Sequence, residues 1–396
     1  MSDFNIKPDS AFPPANTESE APPKAAEEAA AKPSETCAAS AAQASEAGAA
    51  PAPKSKVKKY IFSGIFLIAL ISVTFYVIFK DNSMSEIMEI LKKVSLPYVF
   101  AGIVSMLGFI FFQGIIIGMA AKYIKTKIGF RAMMDYSFVG FFYSGITPSA
   151  TGGQPMQFIY MCRDKISASN TSLVMFITNI SYQLAIVCLS IFMLLYRLKF
   201  ILSVSPAIIG FCIFGISVTL IVILVLVGIL FSETFLMKML TGIIKFLHKI
   251  KIIKKPEKIF AGIEKYIAEV KAGAALIKQN PKHFVYIMLV TLLQLLCYHL
   301  VPYFVYRAFG LDAISCMNIV SISAVLYIAV SFLPLPGTVG AAESGFLTLF
   351  TPMFAGAILP GMLLSRFINF YVMLVLSGIV SMYVQVRKPV NFSDKK

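Results

Sequence analysis

The stretch "ITPSATGGQP", Ile146 to Pro155, interrupts an apolar part of the chain with two prolines, two adjacent glycines and several hydroxyl side chains. Proline ends a helix because it lacks a backbone N–H, and glycine tolerates the angles of a tight turn. The apolar limbs on either side, between Ala132 and Cys162, are each about 15 residues long, which is short for a full bilayer crossing. We therefore predict a helical hairpin that enters and leaves the membrane by the same face.

The composition defines the class of protein. Hydrophobic residues make up 58% of the 396 residues, charged residues make up 14%, and the mean hydropathy is +0.78. These values predict an all-α polytopic membrane protein with about six to eight transmembrane helices plus two re-entrant helical hairpins. The strands of a membrane β-barrel would be about half as long as these helices, and their residues would alternate between apolar and polar. The segments apolar enough to cross a bilayer are Tyr60 to Phe79, Leu96 to Ala121, Thr171 to Leu195, Ala207 to Phe231, Phe284 to Phe304 and Phe367 to Val384.

The chain divides by charge into a tail and a membrane domain. Residues 1–53 are rich in alanine, proline, glutamate and serine, and they contain eight acidic residues and three lysines. Such a segment cannot bury enough apolar surface to fold, so we predict a disordered cytoplasmic tail. Residues 54–386 form the predicted transmembrane domain, which includes a basic amphipathic cytoplasmic segment at 232–282. A cytoplasmic C-terminal tail is predicted at 387–396.

The basic residues orient this domain in the membrane. They cluster before the first span, after the second span and in the 232–282 segment, which contains eleven lysines and four glutamates. Loops rich in lysine and arginine remain on the cytoplasmic side, so both termini are predicted to be cytoplasmic. The same clusters predict attraction to anionic lipids of the inner leaflet, and they give no indication of nucleic-acid binding.

A second interruption lies in the other half of the chain. The stretch "SFLPLPGTVGAAESGF", Ser331 to Phe346, breaks an apolar region with prolines and glycines and places Glu343 at membrane depth. Two interrupted segments, one in each half, are typical of transporters whose binding site lies between inverted repeats. An ionisable side chain at this depth needs a partner or a function, and Arg366 is the candidate partner. The sequence thus favours a polar cavity between two inverted hairpins.

The candidate substrate-binding residues come from both interruptions. At the first, free amides at the start of a half-helix favour an anion, hydroxyl and amide side chains can contact polar ligand groups, and Gly152 and Gly153 permit positive φ angles. At the second, Glu343 attracts a cation or carries a coupling proton, with Arg366 setting its charge state. The candidates are Thr147, Ser149, Thr151, Gly152, Gly153, Gln154, Gln157, Gly337, Gly340, Glu343 and Arg366.

Other polar residues receive structural interpretations. Asp135 is interpreted as an interfacial residue, and the cluster that begins at Arg163 as an anchor on the cytoplasmic side. Asn179 and Gln183 either line the cavity or form interhelical hydrogen bonds.

Three motifs carry a resemblance to a known family. They are "TPSATGGQPMQ" from Thr147, "LPLPGTVGAAES" from Leu333 and "SRFINFY" from Ser365. Over residues 58–386 the chain resembles the flippase-like membrane domain of lysylphosphatidylglycerol synthases, also called multiple peptide resistance factors, and its stand-alone members. The resemblance implies a multi-pass protein of the bacterial inner membrane with two re-entrant elements. It also implies movement of a phospholipid, with or without an aminoacyl group, or of a related anionic lipid between the leaflets.

Two differences from the family pattern bear on this implication. Many relatives have an arginine where this chain has Gln157, so the first motif lacks a cation here. In the second motif, many relatives have a glycine where this chain has Thr338. The larger synthases carry a soluble aminoacyl-transfer domain after the membrane part, whereas about ten residues follow the last predicted span here. The resemblance therefore implies transport of the lipid without its synthesis.

Several classes of function remain open. The leading hypothesis is a lipid translocase whose partner is a membrane phospholipid. A secondary transporter of a soluble solute or ion would use the same broken helices, and a lipid-modifying enzyme or a scaffold are further alternatives. The sequence contains no nucleophile and base pair, no metal-ligand spacing and no nucleotide-binding loop, so we predict no enzyme activity, catalytic residue, metal or cofactor. Homo-oligomerisation is left open.

Overall fold

The computed structural model describes residues 89, 92–147, 150–232, 242, 271, 274–275, 280–331, 341–354 and 356–387. These residues form helices joined by short turns, which confirms the predicted all-α class. The helices are α1 (Leu96–Tyr123), α2 (Phe130–Ile146), α3 (Gly153–Arg163), α4 (Ala168–Tyr196), α5 (Leu198–Val204), α6 (Ile208–Phe231), α7 (Pro281–Ala308), α8 (Cys316–Val330), α9 (Ala341–Phe350), α10 (Ile358–Arg366), a π-helical segment (Phe367–Val372) and α11 (Met373–Arg387).

Five helices in the described ranges are long and apolar enough to cross a membrane. They correspond to five of the six predicted spans, and the sixth, Tyr60 to Phe79, lies outside the described residues, as do the N-terminal tail and most of the 232–282 segment. The predicted start of the last span is wrong, because that span runs from Ile358 to Arg387. The predicted span began just after Arg366, where the apolar run starts, and a charged residue inside a helix does not by itself end the helix.

Helices α1 and α7 form a long antiparallel pair at the centre of the bundle. At one end, the Tyr123 hydroxyl donates a hydrogen bond to the Asn280 carbonyl oxygen over 2.8 Å. At the opposite end, the Ser95 amide donates to the Ala308 carbonyl oxygen over 2.8 Å. These contacts define two ends of the bundle, which we call the Tyr123 end and the Ala308 end.

Helices α2 and α3 form the first hairpin, and it opens at the Tyr123 end. The Tyr136 hydroxyl near the start of α2 donates to Asp164 Oδ2, just after α3, over 2.9 Å. Further along the limbs, Gln157 Nε2 donates to the Tyr136 carbonyl oxygen over 3.1 Å. The two limbs therefore run side by side in opposite directions, as the hairpin prediction requires, and the turn between them points into the bundle.

Helices α8 and α9 form the limbs of a second hairpin, which opens at the Ala308 end. The limbs pack closely, because a Cβ atom added to Gly345 on α9 would clash with the Leu326 side chain on α8. The chain then returns to the end of α7, where the Phe354 ring lies 5.6 Å from the Tyr306 ring. The two hairpins thus enter the bundle from opposite ends, as an inverted arrangement requires.

Buried apolar side chains form one cluster around each hairpin. The first cluster contains Tyr136 and Tyr160 of the first hairpin, each 1% exposed or less. The second contains Phe350 and Phe354, both completely buried, at the returning limb of the second hairpin. Each hairpin is therefore held in place by its own packed core.

An ion pair connects the open end of the first hairpin to the end of the last span. Asp135 is 6% exposed, and its carboxylate accepts a hydrogen bond from Arg387 Nη2. The interpretation of Asp135 as an interfacial residue stays a prediction, and the structure adds a long-range partner for its buried carboxylate, 252 positions away. Arg163, interpreted as an anchor, pairs with the adjacent Asp164 over 3.2 Å.

Candidate substrate cavity

A cavity of about 680 Å³ lies between the two hairpins. Its wall contains residues from the tip of the first hairpin, from both limbs of the second, from α1, α4 and α7, and from the start of the last span. Ligand sites in proteins commonly have volumes of about 300 to 1,000 Å³. The cavity is therefore large enough for a small polar ligand.

Six of the predicted site residues line this cavity: Thr151, Gly153, Gln154, Gln157, Glu343 and Arg366. Ser149, Gly337 and Gly340 lie outside the described residues. Thr147 and Gly152 are not in the wall of this cavity. The Thr147 hydroxyl donates to the Tyr143 carbonyl oxygen over 2.6 Å and accepts from the Gly152 amide over 2.8 Å, so both groups stabilise the turn itself.

The two glycines at the first tip are required for space and not for unusual backbone angles. Gly152 has a φ of −81°, and Gly153 begins α3. The residue with a positive φ in this turn is Ala150, at 53°. A Cβ atom on Gly153 would lie 2.6 Å from the Gly140 carbonyl oxygen and would also clash with Ser144 Oγ. The glycines permit positive φ but do not adopt it, and the close approach of the two limbs is what excludes a side chain.

Glu343 and Arg366 form an ion pair in the cavity wall, as the sequence predicts. Arg366 Nη2 lies 2.8 Å from Glu343 Oε1, and the side chains are 24% and 11% exposed respectively. Nη2 is buried and has no hydrogen-bond acceptor with suitable geometry in the described structure, so the contact is ionic without a well-directed hydrogen bond. Among the described residues of the cavity wall, this pair supplies the formal charges, and they cancel.

A π-helical segment directly follows Arg366, and the sequence gives no signal for it. It covers Phe367–Val372 and carries Asn369, which lines the cavity. The Oδ1 atom of Asn369 is buried and accepts no hydrogen bond from any described residue. Short π-helical turns within α-helices are frequently found at functional sites. The motif "SRFINFY" contained Asn369, but only the fold places its side chain beside the cavity.

Tyrosines also form part of the wall, and sequence reasoning missed them. The hydroxyl groups of Tyr182 and Tyr327 are 2.8 Å apart, and the Tyr298 ring lies 5.3 Å from the Tyr327 ring. Tyrosine within an apolar span needs a partner for its hydroxyl, which is the signal that was available. Asn179 lines the cavity as well, whereas Gln183 does not.

Two helix N-termini are directed at the cavity. Gly153 begins α3, and Ala342 and Glu343 lie in the first turn of α9. The N-terminus of a helix has free amides and a partial positive charge, which favour anionic groups. Glu343 occupies one of these positions, and the α3 N-terminus beside Thr151 and Gln154 offers the other.

The fold and the cavity define a polytopic membrane protein in which two helical hairpins face each other across a cavity that contains a buried ion pair. The model of the family described as the lysylphosphatidylglycerol synthase TM region matches residues 61–377, and the chain belongs to this family. No curated protein matches the chain significantly. The family indicates a function related to membrane lipid.

Proposed function

We propose that the protein is a translocase that moves a phospholipid between the leaflets of a bacterial inner membrane, without covalent chemistry. The observation that carries the proposal is the cavity, lined by both polar and apolar side chains, between two hairpins that enter from opposite ends of the bundle. Broken helices leave backbone groups that lipid cannot satisfy, so they are stable at membrane depth only when they line a protein-walled or wet cavity. Such a cavity gives a headgroup a polar site inside the bilayer.

The outer surface supports this proposal. Large apolar side chains are exposed on the outside of three spans, including Phe100 at 68%, Leu224 at 71% and Val386 at 83%. Such a surface is stable in contact with acyl chains and unstable in water. A headgroup in the cavity and acyl chains in the surrounding bilayer would each lie in a favourable environment.

The charges suggest how the protein sits in the membrane. Four basic residues lie at the Tyr123 end: Lys122 in the last turn of α1, Lys125 and Lys127 between α1 and α2, and Arg131 in the first turn of α2. The excess of basic residues on the cytoplasmic side favours this end as cytoplasmic, and the first hairpin would then be re-entrant from the cytoplasm and the second from the opposite side. Both termini would be cytoplasmic, and the basic loops would attract anionic lipids of the inner leaflet.

Filling the cavity tests the proposal. The natural chain contains no tryptophan, so Asn179→Trp places a single indole in the cavity wall. We expect phospholipid exchange in reconstituted vesicles to fall at least about tenfold, because the indole occupies space that the headgroup needs. Exchange is measured with acyl-chain-labelled phospholipid and a quencher added outside the vesicles.

The matched control is Val375→Trp, which adds the same side chain on the outer surface, where Val375 is 62% exposed. This variant is expected to exchange lipid at the wild-type rate. Wild-type exchange equal to that of protein-free vesicles for every phospholipid headgroup would refute the proposal, and transport of soluble solutes into the same vesicles would then be measured.

A further inference from the structure

We propose that the cavity selects phospholipid headgroups that carry both a phosphate and a protonated amine, with no net charge. This inference rests on the proposed translocation and names its substrate class. Its basis is the Glu343 and Arg366 pair, in which one acid and one base already neutralise each other in the cavity wall.

The ion pair limits which headgroups can enter. A headgroup with only a negative charge would draw Arg366 away and leave the Glu343 carboxylate, whose side chain is 11% exposed, without that cation. A buried charge that loses its partner is strongly unfavourable. A headgroup with both charges can replace both members of the pair. Its amine binds Glu343 in place of Arg366, and its phosphate binds Arg366 in place of Glu343. Both buried charges remain paired throughout.

Other groups of the wall suit the two charges of such a headgroup. Arg366 Nη2 lies 2.8 Å from Glu343 Oε1, so the guanidinium already contacts an acid whose place a phosphate can take. Asn369 also lines the cavity, and its Oδ1 atom accepts no hydrogen bond from the described residues. A protonated amine has several N–H groups and can donate to Glu343 and to Asn369, while a phosphate oxygen accepts from Arg366.

The first hairpin gives no reason to prefer a net anion. Gln157 occupies its wall, and the Gln157 amide nitrogen already donates to the Tyr136 carbonyl oxygen. The α3 N-terminus supplies only a partial positive charge. Arg366 is the formal cation among the described wall residues, so a second negative charge would find no further one there.

The experiment compares three acyl-chain-labelled lipids in proteoliposomes. They are phosphatidylethanolamine, N-acetylated phosphatidylethanolamine and phosphatidylglycerol. The second is a matched probe, because acetylation removes the amine charge and leaves the phosphate in place. We expect the wild type to exchange phosphatidylethanolamine about tenfold faster, or more, than either anionic lipid, because only the zwitterion keeps both buried charges paired.

Charge-neutral variants then change the selectivity in opposite directions. In Glu343→Gln the unpaired Arg366 favours anions, so both anionic lipids should be exchanged as fast as phosphatidylethanolamine or faster. In Arg366→Gln the phosphate loses its cation, so exchange of the anionic lipids should fall further. If the Glu343 and Arg366 pair had only a structural role, substituting its members would not change the order in which the three lipids are preferred. Should a single variant fail to fold, the neutral double variant Glu343→Gln/Arg366→Gln should lose the preference.

The outcomes separate this inference from the proposed function. Equal exchange of all three lipids by the wild type, or an unchanged preference in every folded variant, would overturn the zwitterion selection and leave translocation intact. Absence of exchange for every lipid would remove translocation and the inference together.

Discussion

The Gly153→Ala variant is expected to lose most of its phospholipid exchange, by about tenfold or more. The added methyl group would lie 2.6 Å from the Gly140 carbonyl oxygen on the facing limb. Backbone cannot move aside as a flexible side chain can, so the limbs of the first hairpin must separate. Overpacking of this kind costs about 1 to 3 kcal/mol of folding free energy. Because Gly153 also lines the cavity, the same displacement distorts the wall that would hold the phosphate.

The matched control for this variant is Gly210→Ala. Gly210 is also near the start of a helix, but an added Cβ atom there would have no neighbour within 4 Å. We expect Gly210→Ala to leave exchange unchanged and to keep or slightly raise the unfolding temperature, since alanine is a better helix former than glycine. Gly153→Ala with wild-type exchange and wild-type thermal unfolding would show that the limbs are not packed as closely as described.

Removing Arg387 is expected to destabilise the fold more than removing its partner Asp135. The Asp135 side chain is 8% exposed and that of Arg387 is 23% exposed. Arg387→Gln therefore leaves a buried carboxylate without its cation, at a cost of about 3 kcal/mol. Asp135→Asn leaves a cation that water can partly reach, so a smaller loss is expected. Thermal unfolding in detergent micelles measures both effects.

A double-mutant cycle and an exposed control complete this test. Asp135→Asn/Arg387→Gln should be more stable than Arg387→Gln alone, because the unpaired carboxylate is gone. Arg131→Gln removes an exposed contact to the same helix, from Arg131 Nη2 to the Tyr383 hydroxyl, and should change stability by no more than about 0.5 kcal/mol. If Arg387→Gln were no worse than Arg131→Gln, the pair would not hold the open end of the hairpin to the last span.

If the zwitterion selection is correct, the ion pair in the cavity has a different role from the pair at the open end. Asp135 and Arg387 join two elements at the end of the bundle and line no part of the cavity. Glu343 and Arg366 pair with each other in the cavity wall, which Asn369 also lines. The first pair is expected to affect mainly stability and the second mainly headgroup preference. Measuring unfolding and exchange on the same variants separates the two.

The local sequence was sufficient to predict the break in the first hairpin and the positions of most spans. The break between Ile146 and Gly153 follows from prolines and glycines close in sequence, whose backbone preferences act locally. The spans follow from runs of apolar residues, since the bilayer sets a length that any crossing helix must reach. Pairing Glu343 with Arg366 was also predicted, because few groups can compensate a charge at that depth.

The tertiary structure decided the features that depend on residues distant in sequence. Arg387 lies far from Asp135 along the chain, and no local pattern relates the two. The same holds for the limb contact that excludes a side chain at Gly153 and for the π-helical turn that carries Asn369. Hydropathy and backbone preference act within a few residues, and they determine which segments cross the membrane and where the helices are interrupted. Side-chain packing and long-range charge pairing exist only once the helices meet, so the cavity wall was fixed by the fold.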